Sequence, residues 1–159
     1  MSNQVFSSRL YKLRTVLSAQ GLDGIFITNL TSIRYICGFT GSAASCLITQ
    51  DDSYFISDGR YDVQSGEQVQ NMERFIDFGP HISIVAKNNL IQNGLNLAFE
   101  GDHTSVSQYR AMTDTFPKVG WKSTSMLMEN LQAVKDESEL DAIRTAVEIT
   151  DAVYAEILP

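Results

Sequence analysis

At 159 residues, with 43% apolar and 19% charged side chains, the chain has the size and composition of one folded domain, which excludes a disordered tail or a fibrous repeat. The formal net charge is −7, with 10 basic and 12 acidic residues in 1–134 against 2 and 7 in 135–159. No basic stripe is available to neutralise phosphates and no apolar run approaches the roughly 20 residues that span a bilayer, so nucleic acid and membrane are set aside as partners.

Residues 5–19 place Phe6, Leu10, Leu13, Val16 and Leu17 at helical spacing, and Gly21 ends that helix. GIFIT (24–28) is a short continuous apolar run, predicting a buried strand. A short helix follows, capped by Asn29 or Thr31 and closed by Gly38. SCLITQ (45–50) and SYFIS (53–57), joined at Asp51-Asp52, predict an antiparallel hairpin in a mixed sheet. Asp58 is placed to cap a helix running from Gly59 or Arg60 to about Val69, with Tyr61, Gln64 or Ser65, and Gln68 on successive turns.

RFIDF (74–78) is the next expected strand, and Pro80 opens a helix expected to reach about Gln92. LNLAFE (95–100) and GWKSTS (120–125) bracket a helix from Thr104 to Phe116, with Val106, Tyr109, Met112 and Phe116 inward. A short helix is expected over Ser125 to Gln132. Strands and helices alternate throughout, which predicts an α/β fold: a mixed central sheet of about six strands flanked by helices. From Asp136, where Glu139 completes a capping box, an amphipathic helix runs to Leu158 with Leu140, Ile143, Val147, Val153, Tyr154 and Ile157 on one face. That face needs a cover, either a further domain or the preceding one.

Residue types suited to catalysis are sparse. His81 and His103 lack metal-ligand spacing and are expected in surface or capping roles, with a ligand or acid role as the alternative. The carboxylates of Asp136, Glu137, Glu139 and Asp141 suit a helix start, and Asp51-Asp52 suits a turn. Cys37 and Cys46, the only cysteines, are expected reduced and buried, with a disulfide or reactive thiol as the alternative; a cytoplasmic location is the matching expectation. Two stretches stand out: GFTGSAAS (38–45), able to present hydroxyls and backbone N–H groups, and SDGRYDVQS (57–65), where Arg60 and Tyr61 could bind a carboxylate and stack. The plain alternative for both is turn and cap chemistry.

RLYKLRTVLSAQGLDGIFITNLTSIRYICGFTGSAAS, FISDGRYDVQS and VKDESELDAIRTAVEITDAVY, in that order, resemble the amino-terminal domain of the creatinase, prolidase and aminopeptidase P family and its entry into the catalytic domain. The resemblance implies a ribonuclease H-like creatinase/prolidase amino-terminal domain at 1–133, with 134–159 as a linker and the start of the first helix of a catalytic domain lying outside this chain. It further implies a parent Xaa-Pro peptidase that cleaves beside proline with two divalent metals (manganese, cobalt or zinc), all held in that catalytic domain and none here. No catalytic and no metal-binding residue is expected in this chain. The implied partners are its own catalytic domain, a second copy in a homodimer and a proline-containing peptide. Arg34, Tyr35, Phe39, Thr40, Gly41, Ser42, Asp58, Gly59, Arg60 and Tyr61 are the interface or access positions carried over. Ala44 and Ser65 depart from the family, which commonly has glycine and alanine there. A stand-alone peptide- or protein-binding module and a creatinase-like amidinohydrolase domain are the competing readings.

Overall fold

The computed structural model of the chain describes residues 3–158. Helix α1 (Asn3–Ala19) leads into β1 (Gly24–Ile27), α2 (Leu30–Cys37), and the antiparallel hairpin of β2 (Ser45–Thr49) and β3 (Ser53–Ser57). A single 3-10 turn (Gly59–Tyr61) precedes α3 (Asp62–Gln68), then β4 (Glu73–Ile76) and α4 (His81–Lys87). The remainder is β5 (Asn96–Glu100), α5 (Val106–Thr115), β6 (Gly120–Thr124), α6 (Leu127–Ala133) and α7 (Glu137–Ile157).

The six strands form one mixed sheet in the order β4-β3-β2-β1-β5-β6. Only β2 runs against its neighbours; β1 with β5, β3 with β4, and β5 with β6 are parallel. One end of the sheet therefore collects the carboxyl ends of five strands and the start of β2. Side-chain alternation along the strands divides the core. Ile25, Ile27, Cys46, Ile48 and Phe55 meet α1, α2 and α6 on one face. Phe26, Leu47, Ile56, Leu97 and Phe99 meet α4 and α5 on the other. Leu10, Leu13 and Leu17 of α1 are buried as their spacing requires, each burial contributing about 1.5–3 kcal/mol. At Gly24 a Cβ would stand 2.5 Å from the Ile48 carbonyl oxygen, so only glycine lets β1 and β2 approach this closely.

The caps explain where several helices start. The Asn29 side chain accepts from Thr31 N, and Ser105 and Asp136 both complete capping boxes, with Gln108 and Glu139. Other boundaries differ from the expectation. The helix expected to run to Gln92 stops at Lys87, because Asn88 leaves helical geometry and Asn89 takes a positive φ of 53°. Leu90 and Ile91 still pack on the second cluster, but from a turn. The helix expected from Thr104 begins after Ser105, whose cap turns Val106 outward to 67% exposure; Met112 alone of the four expected inward residues is fully buried. The segment expected to start helically at Ser125 begins at Leu127, after Met126 adopts a φ of 58°. Asp58 caps a 3-10 turn rather than an α-helix.

Both cysteines are free and buried. Ser65 is fully buried; its hydroxyl donates to the Asp62 carbonyl (3.2 Å) and accepts from Arg74 Nη1 (2.8 Å), which gives the departure from alanine a structural use. Beyond Leu140, α7 is exposed along its length, including Ile143 (47%), Val147, Val153, Tyr154 and Ile157. The apolar stripe does not fold back on the sheet domain. Among the described residues no helix is long and apolar enough to cross a membrane.

Candidate functional site

The loop between α2 and β2 and the turn after β3 lie side by side because β2 and β3 are hairpin partners, with β2 starting where β3 ends. Ser57, the last residue of β3, donates from Oγ to the Ala43 carbonyl (2.6 Å) and ties the two segments. Phe39 is buried between the edges of Phe55 and Tyr61, with ring centroids at 4.8 and 5.4 Å. Tyr61 reaches across to Ser42: the hydroxyls are 2.6 Å apart, and Ser42 N donates to the phenol oxygen at 3.3 Å. This bonding to Ser42 holds the Tyr61 phenol below its ordinary pKa. Gly41 is required at the crossing point, since a Cβ there would overlap the Phe39 ring and stand 2.7 Å from Tyr61 Cε1.

Asp58 organises the turn. Its Oδ1 accepts from Arg60 N (3.0 Å) and Arg60 Nε (2.8 Å), and its Oδ2 from Arg60 Nη2 (2.8 Å). The Arg60 side-chain bond is the main reason the Asp58 carboxyl is held down at about 2. The guanidinium stands 5.4 Å from the Tyr61 ring centroid, within cation–π range. Its bidentate edge, however, faces Asp58 rather than a free carboxylate position. Thr40 is held by α3: its N–H donates to Gln68 Oε1 (2.9 Å) and its hydroxyl accepts from Gln64 Nε2 (3.1 Å) and Gln68 Nε2 (2.9 Å). Phe39 to Ser42 and Asp58 to Tyr61 thus form one cross-braced surface, with Thr40, Ser42, Gly59 and Arg60 exposed. The neighbouring Phe78 is 87% exposed and lies over Gly59.

Arg34 and Tyr35 belong to a second constellation at the root of α7. Tyr35 is buried and its hydroxyl donates to the Leu131 carbonyl at 3.3 Å. The Arg9 guanidinium stacks on its ring at 4.2 Å. Arg9, only 4% exposed, donates to the Tyr35 carbonyl (2.7 Å) and through Nε and Nη2 to Asp136 Oδ2 (3.1 and 2.6 Å), with Glu139 at 3.3 Å. Arg34, exposed, lines a shallow cleft of about 220 Å³ beside this cluster.

Arg9 was not singled out from sequence; a basic residue inside the apolar stripe of α1 was the available signal. Glu100 was missed as well. It is buried at the end of β5 and accepts from Ser32 Oγ (2.5 Å) and Asn29 N (3.3 Å), tying the start of α2 to the sheet. Neither histidine acts as a helix cap. Half-buried His81 bonds through Nδ1 to Ser45 Oγ (2.8 Å), and partly exposed His103 pairs through Nε2 with Glu129 Oε1 (3.1 Å). Among the described residues no three His, Cys, Asp or Glu side chains are grouped to hold a metal ion.

Residues 9–134 match the family model described as the creatinase/prolidase N-terminal domain. The peptidase YqhT of Bacillus subtilis is 30% identical over 151 residues, covering 94% of this chain and 42% of that protein. A solved Xaa-Pro dipeptidase from Bacillus anthracis is 34% identical with a TM-score of 0.87, covering 96% of this chain and 43% of that one. The N-terminal domain of the cytoplasmic peptidase PepQ from Mycobacterium tuberculosis superposes with a TM-score of 0.71 at 27% identity, covering 78% of this chain and 98% of that structure. The chain therefore spans less than half the length of the two Bacillus relatives and, over 78% of its length, nearly all of a separately solved N-terminal domain.

Proposed function

Because the chain belongs to the creatinase/prolidase N-terminal domain family, we propose that it is the non-catalytic amino-terminal domain of a metal-dependent Xaa-Pro dipeptidase or aminopeptidase. The observation that carries this reading is the match to 43% of an Xaa-Pro dipeptidase over 96% of this chain, α7 included. In this reading residues 1–133 form the domain and α7 is the first helix of the catalytic domain, whose body covers the apolar stripe now facing solvent. Two divalent metals, manganese, cobalt or zinc, would be held in that catalytic domain and not by residues of this chain, and would supply water activation and carbonyl polarisation there.

The braced surface of Phe39 to Ser42 and Asp58 to Tyr61 serves the homodimer contact and the approach of the proline-containing peptide. Its internal hydrogen bonds suit a wall that must keep its shape. Arg34 and Tyr35 serve instead at the junction with α7. A cytoplasmic location fits the two buried free thiols.

The test is turnover. The 159-residue chain with Mn²⁺ and an Xaa-Pro peptide should release no product, whereas the protein carrying a catalytic domain after α7 should. Metal-dependent cleavage by the chain alone would overturn the non-catalytic assignment. Sedimentation at two concentrations reads whether the braced surface associates: an Arg60→Glu change should weaken any dimer found, and an unchanged dimer would move the contact elsewhere.

A further inference from the structure

A pocket of about 330 Å³ opens on the second face of the sheet, at the end that collects the strand carboxyl termini. It is lined from β1 by Phe26 and by Thr28 just after that strand, from β2 by Ser45, from α4 by His81 and Ile82, and from α5 by Gln108, Ala111 and Met112. No acidic, lysine or arginine side chain is in the lining. A mostly apolar hollow of this volume with a few converging polar groups is the usual form of a small-ligand site.

The polar groups define what it can hold. The Ser45 hydroxyl is buried, and its one hydrogen-bond partner among the described residues is His81 Nδ1, 2.8 Å away. A buried hydroxyl proton needs an acceptor, which makes Nδ1 the acceptor and places the ring proton on Nε2. Burial lowers the His81 pKa, opposed by the nearby Asp58, which keeps the ring in this neutral form at neutral pH. Nε2 has no partner among the described residues, so the pocket offers this fixed N–H donor within a mostly apolar lining in which the Thr28 hydroxyl and the Gln108 amide are the other polar side-chain groups. A charged ligand would lose its water there without gaining a counter-ion, whereas a neutral carbonyl would gain the donor.

We propose that this pocket is a binding site for a compact, uncharged apolar group bearing a carbonyl, with the carbonyl oxygen accepting from His81 Nε2 and the hydrocarbon lying against Ile82 and Met112. Small free amides and an apolar peptide side chain with its adjoining carbonyl share this chemistry. The site is argued from the pocket itself and stands whether or not the chain belongs to a peptidase.

The experiment is an NMR titration of the 159-residue chain, following the Met112 methyl and the His81 ring proton. Three probes are added separately: isovaleramide, its charged isostere isovalerate, and N-acetyl-leucine methylamide. Saturable shifts with an amide in the millimolar range are expected, and isovalerate should bind about tenfold more weakly at neutral pH. His81→Phe keeps the aromatic bulk but removes the donor, and should weaken amide binding about tenfold. Ala111→Leu narrows the hollow and should abolish the shifts; each variant's own spectrum confirms its fold. Saturation by N-acetyl-leucine methylamide alone assigns a peptide occupant, and saturation by both amides assigns small amides as sufficient. No saturable shift with either amide, equal affinity for isovalerate, or wild-type binding by the His81→Phe variant would overturn the proposal.

Discussion

Replacing Arg9 with methionine tests the junction between the sheet domain and α7. Methionine keeps most of the apolar stem's packing and removes the guanidinium. The change strands the buried Tyr35 carbonyl, which loses its 2.7 Å donor, and leaves Asp136 and Glu139 without their cation. Breaking a fully buried ion pair costs about 3–5 kcal/mol. Here the cation is buried, but the carboxylate side chains are 27% and 23% exposed, and solvent takes back part of that loss. The expected destabilisation is about 2–3 kcal/mol, read as a lower urea midpoint at unchanged slope. The paired control is Arg60→Met, whose side chain is largely in solvent and whose removal should leave the midpoint unmoved. The same cluster fixes an acid limb. Burial acts to raise the Asp136 pKa, but bonds from Ser138, Arg9 and Glu139 N outweigh it and hold the carboxyl at about 2. A depressed carboxyl contributes stability above its unfolded value near 3.9 and loses it as pH falls toward 2. That contribution, reduced by solvent at the carboxylate, is about 1 kcal/mol, and the Arg9→Met variant should lose most of it. A stability change below about 0.5 kcal/mol, or an acid limb identical to wild type, would refute the claim that Arg9 anchors α7.

Gly41→Ala should cost about 1–3 kcal/mol by overpacking Phe39 and Tyr61, with a changed near-ultraviolet tyrosine signal; a neutral substitution would mean the crossing point is not close-packed. Burial raises the Glu100 pKa above its ordinary value, against the hydrogen bonds from Ser32 and Asn29 N. Its contribution to stability is therefore full below the unfolded pKa and lost as pH rises through the folded one. Glu100→Gln should remove this part of the pH dependence above pH about 4, checked by denaturation at several pH values; an unchanged profile would contradict it. Cys37 and Cys46 should both be silent to a thiol reagent in the native chain and react together on denaturation, since both are buried and burial raises the Cys46 thiol. Fast native labelling of either would show that the first face of the sheet opens readily.

The elements legible in the sequence were those whose signals are local. Asn29, Asp58 and Asp136 each sit two or three residues from the N–H they cap, and Leu10, Leu13 and Leu17 announce the face of α1 by spacing alone. Leu90 and Ile91 continue the α4 period and do pack inward, but from a turn that Asn89 permits. Apolar spacing reports burial and not backbone angle, so the α4 period extends in sequence past the residue where the helix ends. The candidate loops were visible as motifs, and their pairing follows from the hairpin. Their internal bracing does not: Thr40 meets Gln68 and Ser42 meets Tyr61 only after β3 and α3 are placed. Contacts between positions distant in sequence are the least legible, among them Arg9 with Asp136 across 127 positions and Ser32 with Glu100 across 68.

The antiparallel placement of β2 also bears on the order in which the domain assembles. β2 and β3 are separated by a three-residue turn and can pair at the small loop-closure cost of a hairpin, with β1 joining across the short α2 segment. The β1–β5 pairing must instead close a loop of about seventy residues, the slow kind of contact in a domain of mixed topology. The half of the sheet bearing the braced loops is thus able to form early, while the Arg9 latch, which spans nearly the whole chain, can close only after β5, β6 and α6 have docked. On that order the direction of α7 is set last, so whatever follows it meets a finished domain.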